Sequence, residues 1–531
     1  MITKSTAKKI LGDLPFTAET YWYLRQAGKP IRTGYSLKKL QDGLPVWTKQ
    51  AARAARKAPR GRKVLIFATL HYWISHATLV GLTLGGLGHR VTLAFLPYNQ
   101  WQASINRFDL RRQNLYTMNV LKRAVPLVRP VSFLDSGRME AELPSALLQA
   151  IEELSVRDTQ YTLQVEDIPS DSDLYRMRYE RNHLAAQFAL GWLKTNQPDV
   201  VVVPNGSIQE FGSIYQVARS LGIPTVTYEF GEQRQRLWLA QNTEVMRQQT
   251  DALWAARGGQ ALSAEELDQV QTLFSTRRKA SLWENFARRW QGIASVGGVA
   301  VRTTLGLDQR PIVLLATNVI GDSLTLGRQV FSDSMTDWLS RTVEFFAAHP
   351  KAQLVVRIHP GELITKGPSV AEVVRKALPG GIPEHIYLVP ADAEINTYDL
   401  IDVADLGLVY TTTVGLEMVM SGIPVIAIGQ THYRGKGFTL DPDSWEAYFY
   451  LLNKTIQQPK GLVLSESQVD TAWEYAYRFF FEYPLAFPWH LLHLWDDIEE
   501  WSIERVLSPD GLEQFGAAFQ NLSGEPRNWA I

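Results

Sequence analysis

Short apolar runs alternate with helical segments in two separate regions of this 531-residue chain. Each run, such as 200–204 or 312–316, has the length of a buried strand and is too short for a helix. Apolar strands separated by helices are typical of parallel sheets with helices packed on each side. A chain of this length also exceeds what one hydrophobic core usually holds. The sequence therefore predicts an α/β protein with two domains.

The strand candidates set the predicted domain boundaries. They are 64–69, 91–96, 200–204 and 225–229 in the first region, with helices over 75–88 and 212–221, and 312–316, 353–358, 386–389, 406–410 and 425–428 in the second. We predict a basic extension over 1–60, a first Rossmann-like domain over 61–243, a helical connection over 244–305, a second Rossmann-like domain over 306–470 and aromatic-rich C-terminal helices over 471–531. Two such domains facing a cleft, with a C-terminal helical segment that crosses back onto the first, describe the GT-B architecture.

Composition and charge exclude several kinds of site. The chain has no cysteine, which excludes disulfides, thiolate zinc sites and cysteine nucleophiles. Its formal net charge is zero, so no overall field favours nucleic acid. The first 63 residues nevertheless hold 15 Lys and Arg against three Asp and Glu. We interpret this stretch either as a solvated, partly helical extension or as a contact with an anionic membrane surface or a lipid-phosphate substrate.

One uncharged segment, 64–88, is long enough to imitate a membrane span. It contains two histidines, Tyr72, Trp73 and a Gly-Gly pair, so a strand followed by a helix explains it better. No cleavable signal peptide is visible at the start of the sequence. We therefore expect a cytoplasmic protein, at most peripheral at the inner face of the cytoplasmic membrane.

Polar residues follow four strands of the second region. The four polar segments are 317–322, 359–362, 411–417 and 429–437. The carboxyl ends of parallel strands lie at one edge of a sheet, where ligands bind in open α/β folds. Arg357 and His359 lie at the end of one strand, and Pro360 stops that strand. The pattern predicts an anionic ligand, and a nucleotide is the natural candidate.

The segment 411–417 suits a phosphate. Thr412, Thr413 and Gly415 occur where a strand turns into a helix, so backbone N–H groups and the positive end of the helix dipole are available there. Glu417, in the first turn, is suited to accept hydrogen bonds from ribose hydroxyls. The alternative is an ordinary Thr N-cap with a Glu that matches the dipole.

Two further groups of residues are candidates for the same site. Arg434 and Lys436 are cations in a glycine-rich loop, and the alternative for them is a solvated basic turn. Asn318 is either a ligand-binding residue or a helix cap. His359 alone would be taken as a structural histidine, and Arg357 adds little, because it shares the face of His359 only if the strand continues regularly to residue 359.

The chain resembles the capsule polysaccharide biosynthesis family of glycosyltransferases in the order and spacing of 317–322, 331–338, 357–362, 411–417 and 433–439. The His-Pro pair is also similar to the motif of polysialyl- and Kdo-transferases, and teichoic-acid glycerophosphotransferases have a similar loop. The resemblance covers about a quarter of the chain. It implies that His359 contacts the donor phosphate or base, that Thr412, Thr413 and Gly415 hold phosphate, and that Glu417 holds the ribose. Asn318 and Glu362 are counted with these binding residues.

The resemblance implies transfer of a sugar from a nucleotide-activated donor, CMP- or UDP-linked, to a surface polysaccharide or lipid-linked glycan. We expect Arg434, Lys436 and the helix start to stabilise the departing phosphate without a metal or further cofactor. The base is expected from the first, acceptor-binding domain, with Glu229 and Glu232 as first candidates, then Glu210 and His71. The alternatives are a nucleotide-sugar epimerase, a teichoic-acid-type glycerophosphotransferase and a non-catalytic glycan-assembly subunit.

Overall fold

The computed structural model describes residues 4–26, 34–135, 142–231, 233–279, 293–458 and 462–529. These residues form two units. Unit 1 comprises the described parts of 1–159, 169–246 and 484–528, and unit 2 comprises those of 160–168, 247–483 and 529–531. The chain therefore enters unit 2 briefly at 160–168, enters it again at residue 247 and returns to unit 1 at residue 484.

Unit 1 is built on a mainly parallel sheet. Its strands up to residue 241 are β1 (Lys63–Thr69), β2 (Arg90–Leu96), β3 (Val128–Ser132), β4 (Val200–Pro204), β5 (Thr225–Glu229) and β6 (Arg236–Gln241). Its helices up to residue 220 are α1 (Lys4–Asp13), α2 (Thr17–Tyr21), α3 (Lys38–Ala55), α4 (His71–Gly86), α5 (Arg107–Leu121), α6 (Ser145–Leu163), α7 (Asp173–Asn196) and α8 (Gln209–Ser220). β1 pairs in parallel with both β2 and β4, and only β6 runs antiparallel to its neighbour β5.

The uncharged segment 64–88 forms β1 and α4, a strand followed by a helix as predicted, but the helix begins four residues earlier than expected, at His71. Every residue of α4 from Trp73 to Gly86 is buried, because the helix packs in the core of unit 1. A helix surrounded by apolar neighbours is apolar on all sides. No helix in the described residues is long and apolar enough to cross a membrane.

Unit 2 contains a second, wholly parallel sheet. Its elements are α9 (Asp251–Arg257), α10 (Ala264–Arg278), α11 (Gly298–Leu305), β7 (Ile312–Ala316), α12 (Met335–Ala347), β8 (Gln353–Arg357), α13 (Val370–Ala377), β9 (Ile386–Val389), α14 (Thr397–Ile401), β10 (Leu406–Val409), α15 (Val414–Met420), β11 (Val425–Ala427), α16 (Trp445–Gln457) and α17 (Glu466–Tyr477). The strand order is β11-β10-β7-β8-β9. Consecutive strands β7, β8 and β9 lie side by side, and β10 is placed on the other side of β7.

The C-terminal residues complete unit 1. β12 (Leu485–Ala486) pairs antiparallel with β6, and it is followed by α18 (Leu494–Glu500), α19 (Ile503–Val506) and α20 (Pro509–Leu522). Trp489 and Phe515 are buried in the same core as the strands of unit 1. The predicted fold class, two α/β domains with a C-terminal helical segment that returns to the first, is confirmed by these two sheets.

Candidate functional site

A cleft lies in unit 2 at the carboxyl edge of its sheet, with about 650 Å³ of empty space when the part open to solvent is included. It is bounded by the ends of β7 and β8, by the start of α14 and by the start of α15. Its lining residues are Arg277, Ile293, Ala316, Thr317, Arg357, His359, Pro360, Ile395, Asn396, Thr397, Tyr398, Thr412, Val414 and Glu417. Of the predicted site residues, the structure brings His359, Thr412 and Glu417 together here.

Thr317 holds the ends of two neighbouring strands in register. Its N–H donates to the carbonyl of Arg357 over 3.1 Å, and its hydroxyl accepts the N–H of His359 over 3.0 Å. The hydroxyl also lies 3.3 Å from the Arg357 carbonyl. These bonds fix the backbone of residues 357–359, so both polar side chains of that stretch line the cleft.

The ring of His359 is oriented by its own loop. Its Nδ1 accepts the N–H of Gly361 over 3.0 Å, so the proton of the neutral ring is on Nε2, which is then a hydrogen-bond donor. A Cβ on residue 361 would lie 2.8 Å from Nδ1, closer than such atoms approach. Glycine is therefore needed at 361 to leave room for the imidazole.

Arg357 is a buried cation at the wall of the cleft. Only 4% of the residue is exposed, and its guanidinium donates to the carbonyl of Pro390 over 2.6 Å and to the hydroxyl of Thr397 over 3.4 Å. Burial lowers the pKa of Arg357 to about 10. Among the residues that the structure describes, no carboxylate pairs with it. A buried guanidinium that meets only neutral oxygens favours the approach of an anion.

This placement differs from the sequence-based expectation, in which Arg357 adds little to the site. β8 ends at Arg357, and the following residue, Ile358, is buried in the apolar core. The alternation nevertheless leaves Arg357 and His359 on the same side, so both line the cleft.

Arg277 and Glu417 form an ion pair at the opposite wall. Nη1 of Arg277 lies 2.8 Å from Oε1 of Glu417, and both side chains are almost fully buried. The guanidinium also lies over the rings of Phe274 and Phe480, at 4.9 and 4.6 Å from their centroids. Glu417 belongs to the first turn of α15, as predicted. The cation beside it comes from the last turn of α10 and was not predicted.

The start of α14 contributes a third wall, which the sequence also missed. Asn396 is the N-cap of this helix and accepts the N–H of Tyr398 over 2.8 Å. Its amide group donates to the carbonyls of Ile293 and Arg278 over 2.7 and 3.2 Å. Asp399 accepts the N–H groups of residues 296 and 297 over 2.8 and 3.1 Å. These bonds hold the segment 293–297 against α14 beside the cleft.

The predicted phosphate cradle is only partly in the cleft. Thr412 lines it, and its carbonyl accepts the hydroxyl of Tyr433 over 2.6 Å. A Cβ on Gly415 would lie 2.4 Å from that same hydroxyl, so this glycine is required by packing against Tyr433. Thr413 caps α15 without a side-chain hydrogen bond and does not line the cleft. α15 has seven residues, so its dipole is short.

Asn318 and Glu362 do not line the cleft, and each has a structural contact instead. Oδ1 of Asn318 accepts the N–H of Thr411 over 3.2 Å and so joins the loops after β7 and β10. A carboxylate oxygen of Glu362 accepts the N–H of Val370 over 3.1 Å, at the start of α13. Burial raises the pKa of Glu362. The polar side chains of Asn318 and Glu362 therefore serve as hydrogen-bond acceptors for backbone N–H groups.

Arg434 and Lys436 are likewise placed away from the cleft, in contrast to the predicted role in binding the departing phosphate. Arg434 donates to the carbonyl of Pro442 over 2.5 Å and to that of Ala427, and burial lowers its pKa. Lys436 is paired with Asp251. The glycine-rich loop folds back on its own carbonyls, with Gly435 and Gly437 at φ of 75° and 92°.

Glu229 ends β5 in unit 1, at the carboxyl edge of the first sheet. Its two oxygens accept the N–H of Phe230 over 3.0 Å and the amide of Asn205 over 3.1 Å. Burial raises the pKa of Glu229. Asn205 in turn accepts the hydroxyl of Ser207 over 2.5 Å, which fixes the orientation of its amide. The other first candidate for the base, Glu232, lies outside the described residues.

The two remaining candidates for the base differ in their surroundings. Glu210 is buried, and its carboxylate lies 3.4 Å from the guanidinium of Arg178. Arg178 also binds Asp158 over 2.6 Å, so Glu210 belongs to an internal ion cluster. His71 begins α4 after Leu70, whose φ of 62° is unusual for leucine. Burial lowers the pKa of His71.

Carboxylates with the spacing Asp-x-Asp occur at 171/173 and at 441/443. Asp173 is paired with Arg176 on the surface, and Asp441 accepts the N–H of Gly435 over 2.7 Å. Neither pair lines the cleft. In the part of the chain that the structure describes, no group of three or more His, Asp or Glu is arranged to hold a metal ion.

The fold and the site thus define a two-domain α/β protein whose second unit has a cleft lined by a buried arginine, a histidine and an Arg–Glu ion pair. Residues 293–457 match the model of the family described as "Capsule polysaccharide biosynthesis protein". This segment holds every lining residue of the cleft except Arg277. The resemblance to this family is confirmed for the segment, and it supports glycosyl transfer as the general activity. No curated protein sequence matches the chain.

Several solved structures are similar at low identity. The Kdo 2,4-transferase KpsC of Thermosulfurimonas dismutans is 18% identical over 52% of this chain and 78% of its own, with a TM-score of 0.31. A glycosyltransferase of Rickettsia africae is 10% identical over 88% and 100%, with a TM-score of 0.29. UDP-GlcNAc 2-epimerase of Neisseria meningitidis, bound to UDP-GlcNAc, is 13% identical over 79% and 99%, with a TM-score of 0.25. Values this low carry no information on activity.

Proposed function

We propose that the protein transfers a sugar from a nucleotide-activated donor to a surface polysaccharide or lipid-linked glycan, and that the cleft of unit 2 holds the nucleotide. One observation carries the proposal. Arg357 is a buried cation that lines the cleft and binds only a carbonyl and a hydroxyl. The family match over 293–457 supports the same activity.

The donor phosphate is assigned to the wall made by β8. Arg357 supplies a positive charge at low dielectric, where its attraction for an anion is strong. His359 supplies the Nε2–H donor whose direction is set by the bond from Gly361 to Nδ1. When the bond to the sugar breaks, charge develops on the departing phosphate, and these two groups stabilise it without rearranging.

The nucleoside is assigned to the wall made by α14 and α15. Arg277 binds Glu417 over 2.8 Å and fixes the position of its carboxylate, which can then accept hydrogen bonds from ribose hydroxyls. Asn396 and Thr397 add polar groups beside it. The donor is CMP- or UDP-linked, and the binding screen below identifies which nucleotide the cleft prefers.

Glu229 is our candidate for the base that takes the proton of the acceptor hydroxyl, with Glu232 as its neighbour in sequence. A raised pKa makes a carboxylate a stronger base, and the acceptor hydroxyl is a weak acid. The bond from Asn205 keeps one carboxylate oxygen in place.

The test of the function is acceptor-dependent turnover. Wild-type protein is incubated with CMP- and UDP-sugars, with and without a lipid-linked glycan, and the released nucleotide is measured by chromatography. A transferase releases nucleotide in step with extension of the glycan. Conversion of the nucleotide-sugar in the absence of acceptor would indicate an epimerase, and no turnover at all would indicate a non-catalytic subunit.

A thermal-shift screen with CMP, UDP, GDP and CDP identifies the nucleotide. At a ligand concentration of 100 times Kd, binding stabilises the folded protein by about 2.7 kcal/mol. We expect one pyrimidine nucleotide to give the largest rise in Tm. A rise with none of the four would contradict the proposed site.

A further inference from the structure

The N-terminal helices carry an unusual density of exposed apolar side chains. Of the 18 large hydrophobic residues that are exposed in the described residues, seven lie between positions 10 and 24. The three most exposed of these are Leu24, Phe16 and Tyr23, at 78%, 74% and 69%. Single exposed apolar residues are normal, but a concentration of them marks an interaction site. We call residues 10–24 the N-terminal apolar surface.

This segment is attached to α5 of unit 1 through polar contacts and through ring contacts of Tyr21 with Phe108 and of Trp22 with Tyr116. Lys8 binds Asp109 over 2.7 Å, and Arg111 binds Glu19 over 3.0 Å. Arg111 also donates to the carbonyl of Leu14 over 2.7 Å. Ala18 and Trp22 are buried on the same side. The segment is therefore anchored on its inner side and still leaves large apolar groups on its outer side, where an ordinary surface helix is polar.

The N-terminal part of the sequence that contains this surface is rich in positive charge. The first 63 residues hold 15 basic and three acidic side chains, so the rest of the chain holds 39 basic and 51 acidic ones. Within the N-terminal apolar surface and next to it, Lys9 and Arg25 are exposed. Two copies of this chain facing each other through this region would bring like charges together. An anionic partner is favoured instead.

We propose that the N-terminal apolar surface docks on an anionic phospholipid membrane. Leu, Phe and Tyr side chains enter the boundary between headgroups and acyl chains, and basic residues beside them attract anionic lipids. This combination is what gives interfacial segments reversible membrane affinity. The inference rests on the exposed side chains and charges of unit 1 and is independent of the proposed sugar transfer.

The experiment is co-sedimentation of the full chain with two kinds of vesicle. One contains phosphatidylcholine alone, and in the other about one lipid in three is the anionic phosphatidylglycerol. We expect wild type to sediment with the anionic vesicles and to dissociate at about 1 M salt, where screening is nearly complete. The variant Phe16→Ser/Tyr23→Ser/Leu24→Ser should bind about tenfold more weakly, because three apolar groups are lost.

Matched controls come from the same chain. Ile364, Val463 and Leu492 are exposed to 79%, 75% and 71%, and Ile364→Ser/Val463→Ser/Leu492→Ser should bind like wild type. Lys9→Glu/Arg25→Glu should weaken binding to anionic vesicles, and Lys351→Glu/Lys376→Glu, at exposed sites of unit 2, should do so less.

Three outcomes would overturn the proposal. They are equal binding to neutral and anionic vesicles, equal binding by the two serine variants, and a wild-type dimer in gel filtration that Phe16→Ser/Tyr23→Ser/Leu24→Ser converts to a monomer. All variants should retain the nucleotide-dependent rise in Tm, so failure of membrane binding is distinguishable from failure of the proposed function.

Discussion

Arg277 and Glu417 are joined by an ion pair of 2.8 Å from which water is almost excluded. The two residues are 140 positions apart in the chain and come from the end of α10 and the start of α15. Removing one partner leaves the other charge buried and uncompensated, which typically costs about 3–5 kcal/mol. The pair therefore links the stability of unit 2 to the shape of the cleft.

The first prediction separates these two roles. Arg277→Met and Glu417→Leu should each lower the free energy of unfolding by about 3 kcal/mol, because each leaves one charge buried and unpaired. The double variant should recover most of that loss, since it buries no charge. Urea denaturation measures the stability, and calorimetry measures nucleotide binding, which none of the three variants should retain at wild-type affinity. A double variant that binds nucleotide like wild type would remove Glu417 from the site.

The second prediction concerns the glycine beside His359. Gly361→Ala places a Cβ 2.8 Å from Nδ1 of His359 and should turn the ring away, with about tenfold weaker nucleotide binding for the loss of one hydrogen bond. Gly380→Ala is the control, because a Cβ there meets no atom within 4 Å. Titration calorimetry on both variants checks the result. Equal affinities would show that the orientation of His359 does not matter.

The third prediction follows from the pKa of Glu229. Burial raises this pKa above its ordinary value of 4.5, so the ionised carboxylate destabilises the folded protein at neutral pH. The neutral form favours folding below pH 4.5, and that advantage is lost as the pH rises through the folded pKa. Glu229→Gln should therefore raise Tm at pH 7 and have little effect on Tm at pH 4, while it abolishes sugar transfer. If Glu229→Gln changed Tm by the same amount at pH 4 and at pH 7, the raised pKa of Glu229 would be contradicted.

The fourth prediction concerns the hydrogen bond from Asn205 to Glu229. This bond lowers the pKa of Glu229 and partly offsets the effect of burial. Asn205→Asp keeps the size of the side chain and tolerates the left-handed φ of 55°, but it places a second carboxylate beside the first. The acidic limb of the pH profile of kcat should move to higher pH, and kcat at pH 7 should fall. Ser207→Ala should give a smaller shift in the same direction. A purely structural role would lower Tm without moving the profile.

Much of the fold could be predicted because four of the five described strands of unit 2 are buried along their whole length. Apolar runs identified all of β7 to β11, but the predicted ends of β8, β10 and β11 were one residue too long. Ile358, Tyr410 and Ile428 are buried in the core although they follow the last ladder residue. An apolar pattern indicates which residues are buried, and burial extends one residue beyond the hydrogen-bonded part of these strands. The predicted strands are therefore too long by that residue.

The edge strands of unit 1 gave no such signal. β3 contains Arg129 and Pro130, and β6 and β12 are short or partly exposed strands at the other edge. Edge strands are half solvated and tolerate charge and proline. Their sequences therefore resemble loops.

A residue of the candidate site could be predicted only where it closely follows the end of a strand in the sequence. His359, Thr412 and Glu417 satisfy that condition. Arg277 comes from a different helix, and nothing local distinguishes it from Arg278 beside it, which pairs with Asp402. Arg434 looked equivalent to a ligand-binding cation, because the sequence does not show whether a cation in a glycine-rich loop meets a ligand or the carbonyls of its own loop.

The central claim, that Arg357 binds the phosphate of a nucleotide in the cleft, is tested most directly by calorimetric titration of the nucleotide selected in the screen into three proteins. Wild type and Arg434→Gln, which removes a guanidinium that does not line the cleft, should bind with the same Kd. Arg357→Gln should bind about 10- to 100-fold more weakly, because a hydrogen bond to a charged group contributes about 1.5–3 kcal/mol. Equal affinity of Arg357→Gln and wild type, or loss of binding in Arg434→Gln alone, would contradict the account.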